Sequence, residues 1–159
     1  GLDITPSLIR EAKEYAKKEK VKIDFQIGDM RDIPYEDNSF DAVICLWAVF
    51  NELSKRSDQI RCIKEIERVL KPNGQCMIEM INGERDEMQE ELLLFGKGED
   101  NRVLMSSFET VQTQVKHYIH SRATLNELAK ANGLKRYSAT IEMLGDRERL
   151  FFYFTKSKK

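Results

Sequence analysis

The apolar pattern changes period repeatedly between Val21 and Ile81, and a chain that does this folds as alternating strands and helices. Val21, Ile23, Phe25 and Ile27 alternate with Lys22, Asp24 and Gln26, the period of a half-exposed strand. Phe40 to Leu46 is nearly all apolar, as expected of a strand buried on both faces of a parallel sheet. Ile60, Ile63, Ile66, Val69 and Leu70 then recur at helical spacing, with Ser57 or Asp58 as the expected cap. Lys71-Pro72-Asn73-Gly74 stops that helix and turns the chain, and Gln75 to Ile81 returns as a further strand.

The flanks extend the alternation. Gly1-Leu2-Asp3-Ile4 reads as the end of a strand already under way. Thr5 is the expected cap of a helix that begins at Pro6, where the missing N–H costs nothing. Leu8, Ala12, Tyr15 and Ala16 are its expected buried face, and Lys13, Glu14, Lys17 and Lys18 its solvated one. From about Glu84 to His120 the pattern breaks. A helix over Glu84–Phe95 and two strands, Val103 to Val111 and Gln114 to His120, read as an insertion or lid. Thr124 then caps a short helix closed by Gly133. Leu134 to Met143 and Leu150 to Thr155 form a final strand pair around Gly145-Asp146, so one of them runs antiparallel to its neighbour. The expectation is an α/β domain over residues 1–159, with a mainly parallel, doubly wound sheet and a C-terminal antiparallel strand pair.

Composition narrows the partners. Charged residues make up 33% of the chain, yet the formal net charge is only -1, which disfavours nucleic acid as a partner. No apolar run is long enough to span a bilayer, so no membrane partner is expected. Cys45, Cys62 and Cys76 match no metal spacing and lie in apolar segments, which suits small buried hydrophobes in a reducing cytoplasm. His117 and His120 stand three apart on an expected strand, where side chains face opposite sides, so no metal site is expected.

Ligands of open α/β sheets bind beyond the carboxyl ends of the strands. Three strand ends carry polar or aromatic residues there. Asp3 could accept two hydrogen bonds from a ribose diol, or act only as a helix cap. Asp29 follows Gly28, a residue that permits a sharp turn and close approach to a ligand, and Met30 could pack on a flat base. Leu46-Trp47 closes the third strand.

These pieces, with Gly28-Asp29-Met30-Arg31-Asp32-Ile33-Pro34, Asn38-Ser39-Phe40-Asp41-Ala42-Val43 and Arg68-Val69-Leu70-Lys71-Pro72-Asn73-Gly74, resemble the class I S-adenosylmethionine-dependent methyltransferases of the small-molecule type. The resemblance implies a Rossmann-like fold and S-adenosylmethionine as cofactor. It also implies Asp3 and Ile4 at the ribose, Asp29 and Met30 at the adenine, and Leu46 and Trp47 at the methionine end. Trp47, Asn51 and Tyr118 are then candidates to meet a small-molecule acceptor. Glu52, Tyr118, His117 and His120 are candidate bases for an acceptor that must lose a proton.

The family also begins with a strand, a glycine-rich loop and a helix that this sequence does not show, so two ladder edges are expected in mid-sheet. Such a domain is expected to pair with another chain, a second copy included, or to be a portion of a longer one. Two other readings compete. One is a nicotinamide-dependent oxidoreductase, which would use Asp3 equally well. The other is a non-catalytic module of methyltransferase-like fold.

Overall fold

The computed structural model describes residues 1–85, 103–108, 111–145 and 147–157. Strand β1 (Leu2–Asp3) leads into helix α1 (Pro6–Lys18), and β2 (Gln26–Ile27) returns to pair with β1 in parallel. Strand β3 (Phe40–Cys45), a single 3-10 turn (Val49–Glu52), helix α2 (Arg56–Val69) and strand β4 (Leu70–Ile81) follow. Strands β5 (Val103–Phe108) and β6 (Val111–Tyr118) form a separate antiparallel hairpin. Helix α3 (Arg122–Ala131) and strands β7 (Leu134–Leu144) and β8 (Arg147–Lys156) complete the described chain.

The larger sheet has the order β3-β4-β8-β7. Strands β3 and β4 run parallel across the α2 crossover, and β8 runs antiparallel to both β4 and β7. The architecture is the expected α/β one, with its terminal strand pair antiparallel, so the sheet as a whole is mixed. Among the described residues β1 pairs only with β2, and β3 only with β4.

The core lies where α2 and α3 meet the four-stranded sheet. Ile63, Ile66 and Leu70 pack there with Ile78, Met80, Leu125, Leu128, Leu134, Leu150, Phe152 and Phe154. Each large apolar side chain so buried contributes about 1.5–3 kcal/mol. Cys45, Cys62 and Cys76 join this core as free thiols, and burial pushes the Cys45 thiol up to about 12. They serve as small hydrophobes, as their apolar flanks implied.

Several local expectations are corrected. Residues 21–25 are irregular, and the second strand is only Gln26–Ile27. Alternation alone does not make a strand without a ladder partner along its length. Strand β3 buries Cys45 but leaves Ile44 62% exposed, so it is not covered on both faces among the described residues. Helix α1 rests on Ile9 and Ala16, while Leu8 and Tyr15 are exposed, a rotation of the buried stripe by one position.

The capping residues differ as well. Thr5 makes no side-chain cap bond; Asp3 Oδ1 accepts the Thr5 N–H instead, at 2.7 Å. Ser57 and Asp58 lie inside the first turn of α2, which starts at Arg56 after Lys55. Helix α3 is capped by Ser121 rather than Thr124: Ser121 Oγ accepts the Thr124 N–H and Thr124 Oγ1 accepts the Ser121 N–H, a reciprocal capping box.

Pro72, Asn73 and Gly74 do not separate α2 from β4 as a free turn. Strand β4 begins at Leu70, and the ladder with β3 jumps from Leu70 to Gln75. Asn73 takes φ 65° within this bulge. A Cβ on Gly74 would lie 2.8 Å from the Lys71 carbonyl oxygen, so no larger residue fits. Strand β5 ends at Phe108 and β6 runs from Val111 to Tyr118, so Gln112 lies within β6 and His120 beyond it. The helix expected over Glu84–Phe95 lies outside the described residues from position 86 onward.

Candidate functional site

Asp3 ends β1, Gly28-Asp29-Met30 follows β2, which is parallel to β1, and Leu46-Trp47 follows β3. The segment after β2 is fastened to α2 by ionic hydrogen bonds. Arg31 Nη1 donates to Asp58 at 3.0 Å, Glu65 accepts the Ile33 N–H at 2.8 Å, and Arg68 Nη2 donates to the Ile33 carbonyl at 2.9 Å. Met30 and Ile33 pack against the core from this segment. The Asp3 carboxylate also acts electrostatically on Glu52 in the 3-10 turn. Loss of solvent around Glu52, together with that charge, pushes its carboxyl above the usual carboxylate range. The end of β1 and the 3-10 turn after β3 are therefore near enough to interact electrostatically.

Asp3 is half-buried, and only its Oδ1 is engaged among the described residues, by the Thr5 N–H. Its Oδ2 remains available to accept from a diol. Ile4 beside it is 63% exposed. Asp29 is more heavily committed. Its Oδ1 accepts the Arg31 backbone N–H at 2.8 Å and Arg31 Nε at 2.9 Å, and its Oδ2 accepts Arg31 Nη2 at 2.5 Å. The Arg31 guanidinium holds the Asp29 carboxyl below the usual range. Arg31 Nε also donates to Oδ2 at 3.0 Å, so the carboxylate's lone-pair sites, about four in number, are all engaged by Arg31.

Gly28 has a different reason from the one its sequence context suggested. Its backbone is not in the left-handed region, where Gly133 and Gly145 are the glycines found among the described residues. A Cβ at Gly28 would stand 2.6 Å from Leu2 Cδ1, so the glycine lets the β1 side chain pack over β2. Gly83 is similar: its Cβ would lie 2.3 Å from Ile119 Cγ2 and 2.8 Å from the His120 carbonyl oxygen.

Trp47 and Ala48 both adopt left-handed backbone, with φ 59° and 54°. Each such residue costs about 1–3 kcal/mol, a cost met only where surroundings over-determine it. Here Glu79, on β4 and buried, accepts the Ala48 N–H through Oε2 at 3.0 Å, and its Oε1 lies 3.4 Å from Arg149 Nε. Sequence reading missed Glu79 and Arg149. The available signal was a carboxylate within the apolar Cys76–Ile81 run, which burial makes costly unless it is paired.

Asn51 is fully buried, and its amide is committed: Nδ2 donates to the Tyr118 carbonyl at 2.8 Å and Oδ1 accepts the Ile81 N–H at 3.2 Å. The structure thus places Asn51 in the frame that joins β4 to the end of the β5–β6 hairpin. Tyr118 and buried His120 form a ring cluster with Phe50, at centroid separations of 4.6 and 5.2 Å. His117 lies on β6, where burial and the Arg149 charge hold its imidazole below the usual histidine range.

The residues so assembled fit an adenosine-bearing cation. The open Asp3 oxygen suits a ribose diol, and exposed apolar groups at Ile4, Leu46 and Trp47 line the strand ends. Trp47, 74% exposed, presents an aromatic face of the kind that attracts a sulfonium.

Comparison with known proteins agrees. Residues 1–78 match the family described as "Methyltransferase domain". The chain is 30% identical over 79 residues to an uncharacterized methyltransferase, YcgJ, of Bacillus subtilis, covering 49% of this chain and 30% of that protein. It is 33% identical over 78 residues to the demethylmenaquinone methyltransferase of Deinococcus radiodurans, covering 49% and 31%. The chain spans about a third of the length of these relatives, the matched segments amounting to 30% and 31%. In fold it is similar to a solved S-adenosylmethionine-dependent methyltransferase of Methanosarcina mazei. The TM-score is 0.86 at 17% identity, covering all of this chain (100%) and 82% of the other.

Proposed function

We propose that this chain, whose residues 1–78 match a methyltransferase-domain family and whose fold is that of S-adenosylmethionine-dependent methyltransferases, belongs to class I of those enzymes, and that its protein moves a methyl group from S-adenosylmethionine to a small-molecule acceptor. The observation that carries this reading is the electrostatic proximity of Asp3, at the end of β1, to Glu52 in the turn that follows β3. Asp3 offers a half-open carboxylate, and Leu46 and Trp47 offer exposed apolar and aromatic groups.

When bound, S-adenosylmethionine supplies an electrophilic sulfonium methyl. Asp3 and Ile4 hold the ribose, Asp29 and Met30 the adenine, and Leu46 and Trp47 the methionine end. These groups orient the donor, and orientation alone supplies roughly 7–11 kcal/mol in favourable cases. Trp47 and Tyr118 stand on the acceptor side, and Asn51 ties the Tyr118 backbone, at the end of β6, to Ile81 at the end of β4. For an acceptor that must lose a proton, Glu52 is the best-placed base: its raised affinity for a proton near Asp3 suits that task. No helix among the described residues is long and apolar enough to cross a membrane.

The test is calorimetric titration of the full chain with S-adenosylmethionine, S-adenosylhomocysteine and NAD in separate runs. Saturable binding of the first two and none of NAD is expected. Binding of NAD alone returns the protein to the oxidoreductase reading, and binding of none supports a non-catalytic module.

A further inference from the structure

Trp47 is exposed, so packing does little to hold its ring. The position of the ring therefore follows from the backbone of Trp47 and Ala48. Both residues sit in a conformation that side-chain-bearing residues avoid. Something must hold them there, and the structure shows what does. The Ala48 N–H donates to Glu79 Oε2 at 3.0 Å. Glu79 projects from the middle of a rigid ladder: its residue pairs with Phe151 on β8, and the preceding Ile78 pairs with Cys45 on β3. Its other oxygen faces Arg149 Nε at 3.4 Å. The Ala48 carbonyl then accepts the Asn51 N–H at 2.9 Å, which carries the same constraint into the 3-10 turn. A buried carboxylate aimed at a single strained amide is an expensive arrangement for mere packing.

We propose that Glu79 is a positioning residue of the crevice: by accepting the Ala48 amide it holds the left-handed Trp47–Ala48 pair and so keeps the Trp47 ring at the methyl-donor end of the site. The proposal rests on the methyl-transfer reading for what the ring meets, but not for the clamp itself. What the clamp requires is an acceptor oxygen at Glu79 rather than its charge. Glutamine keeps an acceptor for the Ala48 N–H, with its amide nitrogen toward Arg149, and leucine keeps none.

Trp47 is the chain's single tryptophan, so its fluorescence reports on this turn alone. In the full chain, Glu79→Leu should lower Trp47 anisotropy and raise its quenching by acrylamide, whereas Glu79→Gln should match the wild type. By calorimetry, S-adenosylhomocysteine should bind Glu79→Leu about tenfold more weakly, in line with the penalty for a small misplacement, while Glu79→Gln keeps wild-type affinity. A folded Glu79→Leu chain with wild-type anisotropy and quenching overturns the proposal. Should that variant fail to fold, amide hydrogen exchange of the wild type decides. The Ala48 amide should be protected like the β4 ladder, and exchange at the rate of an exposed loop overturns the clamp. Failure of the wild type to bind S-adenosylhomocysteine overturns the methyl-transfer reading instead, and is told apart by an Ala48 amide that stays protected.

Discussion

Asn51 and Tyr118, sixty-seven positions apart, are joined by a hydrogen bond from Asn51 Nδ2 to the Tyr118 carbonyl oxygen at 2.8 Å. The same amide accepts from Ile81 N–H through Oδ1 at 3.2 Å, so one buried side chain ties the end of β4 to the end of β6 beside the crevice. Asn51→Ala removes two part-buried hydrogen bonds, each worth about 0.5–1.5 kcal/mol. Urea unfolding should show a loss of that size. Unchanged stability would mean that these backbone groups find other partners.

Asp3 should contribute to cofactor affinity and not to the chemical step. Its hydrogen bonds to a ribose are the same before and during transfer, and uniform binding of this kind alters KM while leaving kcat nearly unchanged. Asp3→Asn should weaken S-adenosylmethionine binding by about 1.5–3 kcal/mol, the range for bonds to a charged group. The same variant removes a negative charge beside Glu52, so the Glu52 carboxyl should titrate lower by NMR. A Glu52 titration indifferent to Asp3 would show that β1 and the 3-10 turn do not interact electrostatically.

The Arg149 charge lowers the His117 imidazole, after burial itself. Arg149→Met should therefore raise the His117 pKa, followed through its ring proton shifts. Because burial is the larger cause, the imidazole should still titrate below the ordinary histidine value. A downward movement would contradict the geometry.

Acid should weaken the fastening of the 29–37 segment to α2. Arg68 lowers the Glu65 carboxyl by hydrogen bonding, and Arg31 lowers Asp29 in the same way. A depressed carboxylate contributes stability that is present above its unfolded pKa and lost as pH falls through its folded one. Stability should thus fall from roughly pH 4 downward, the region of unperturbed carboxylates. Arg68→Met should flatten that fall, since it returns Glu65 toward its unfolded value. An identical pH profile in urea unfolding would remove Glu65 from the account.

Much of the frame was legible from residues alone. The helical spacing of Ile63, Ile66 and Leu70 and the apolar run at Gln75–Ile81 produced α2 and β4, because burial of apolar surface acts on pattern and needs no knowledge of the partner. Gly145 placed the β7–β8 turn for a similarly local reason: φ 65° suits glycine. The strand ends Asp3, Asp29 and Leu46-Trp47 could also be named, since a parallel α/β order directs them to one side.

What local pattern could not decide was how each residue is used. Gly28 looked like a ligand-approach residue until Leu2 was seen to fill the space beside it. Thr5 looked like the cap until Asp3 took its amide. Val21–Phe25 alternates like a strand yet has no ladder partner among the described residues, and nothing local marked Glu79 as the acceptor of the Ala48 N–H. Sequence by itself determined the order of elements, since that follows from hydrophobic period and chain direction. Only the tertiary structure decided which polar atoms are spent and which remain open, because hydrogen bonds between Asn51 and Tyr118, or Glu79 and Ala48, join residues that no local pattern relates.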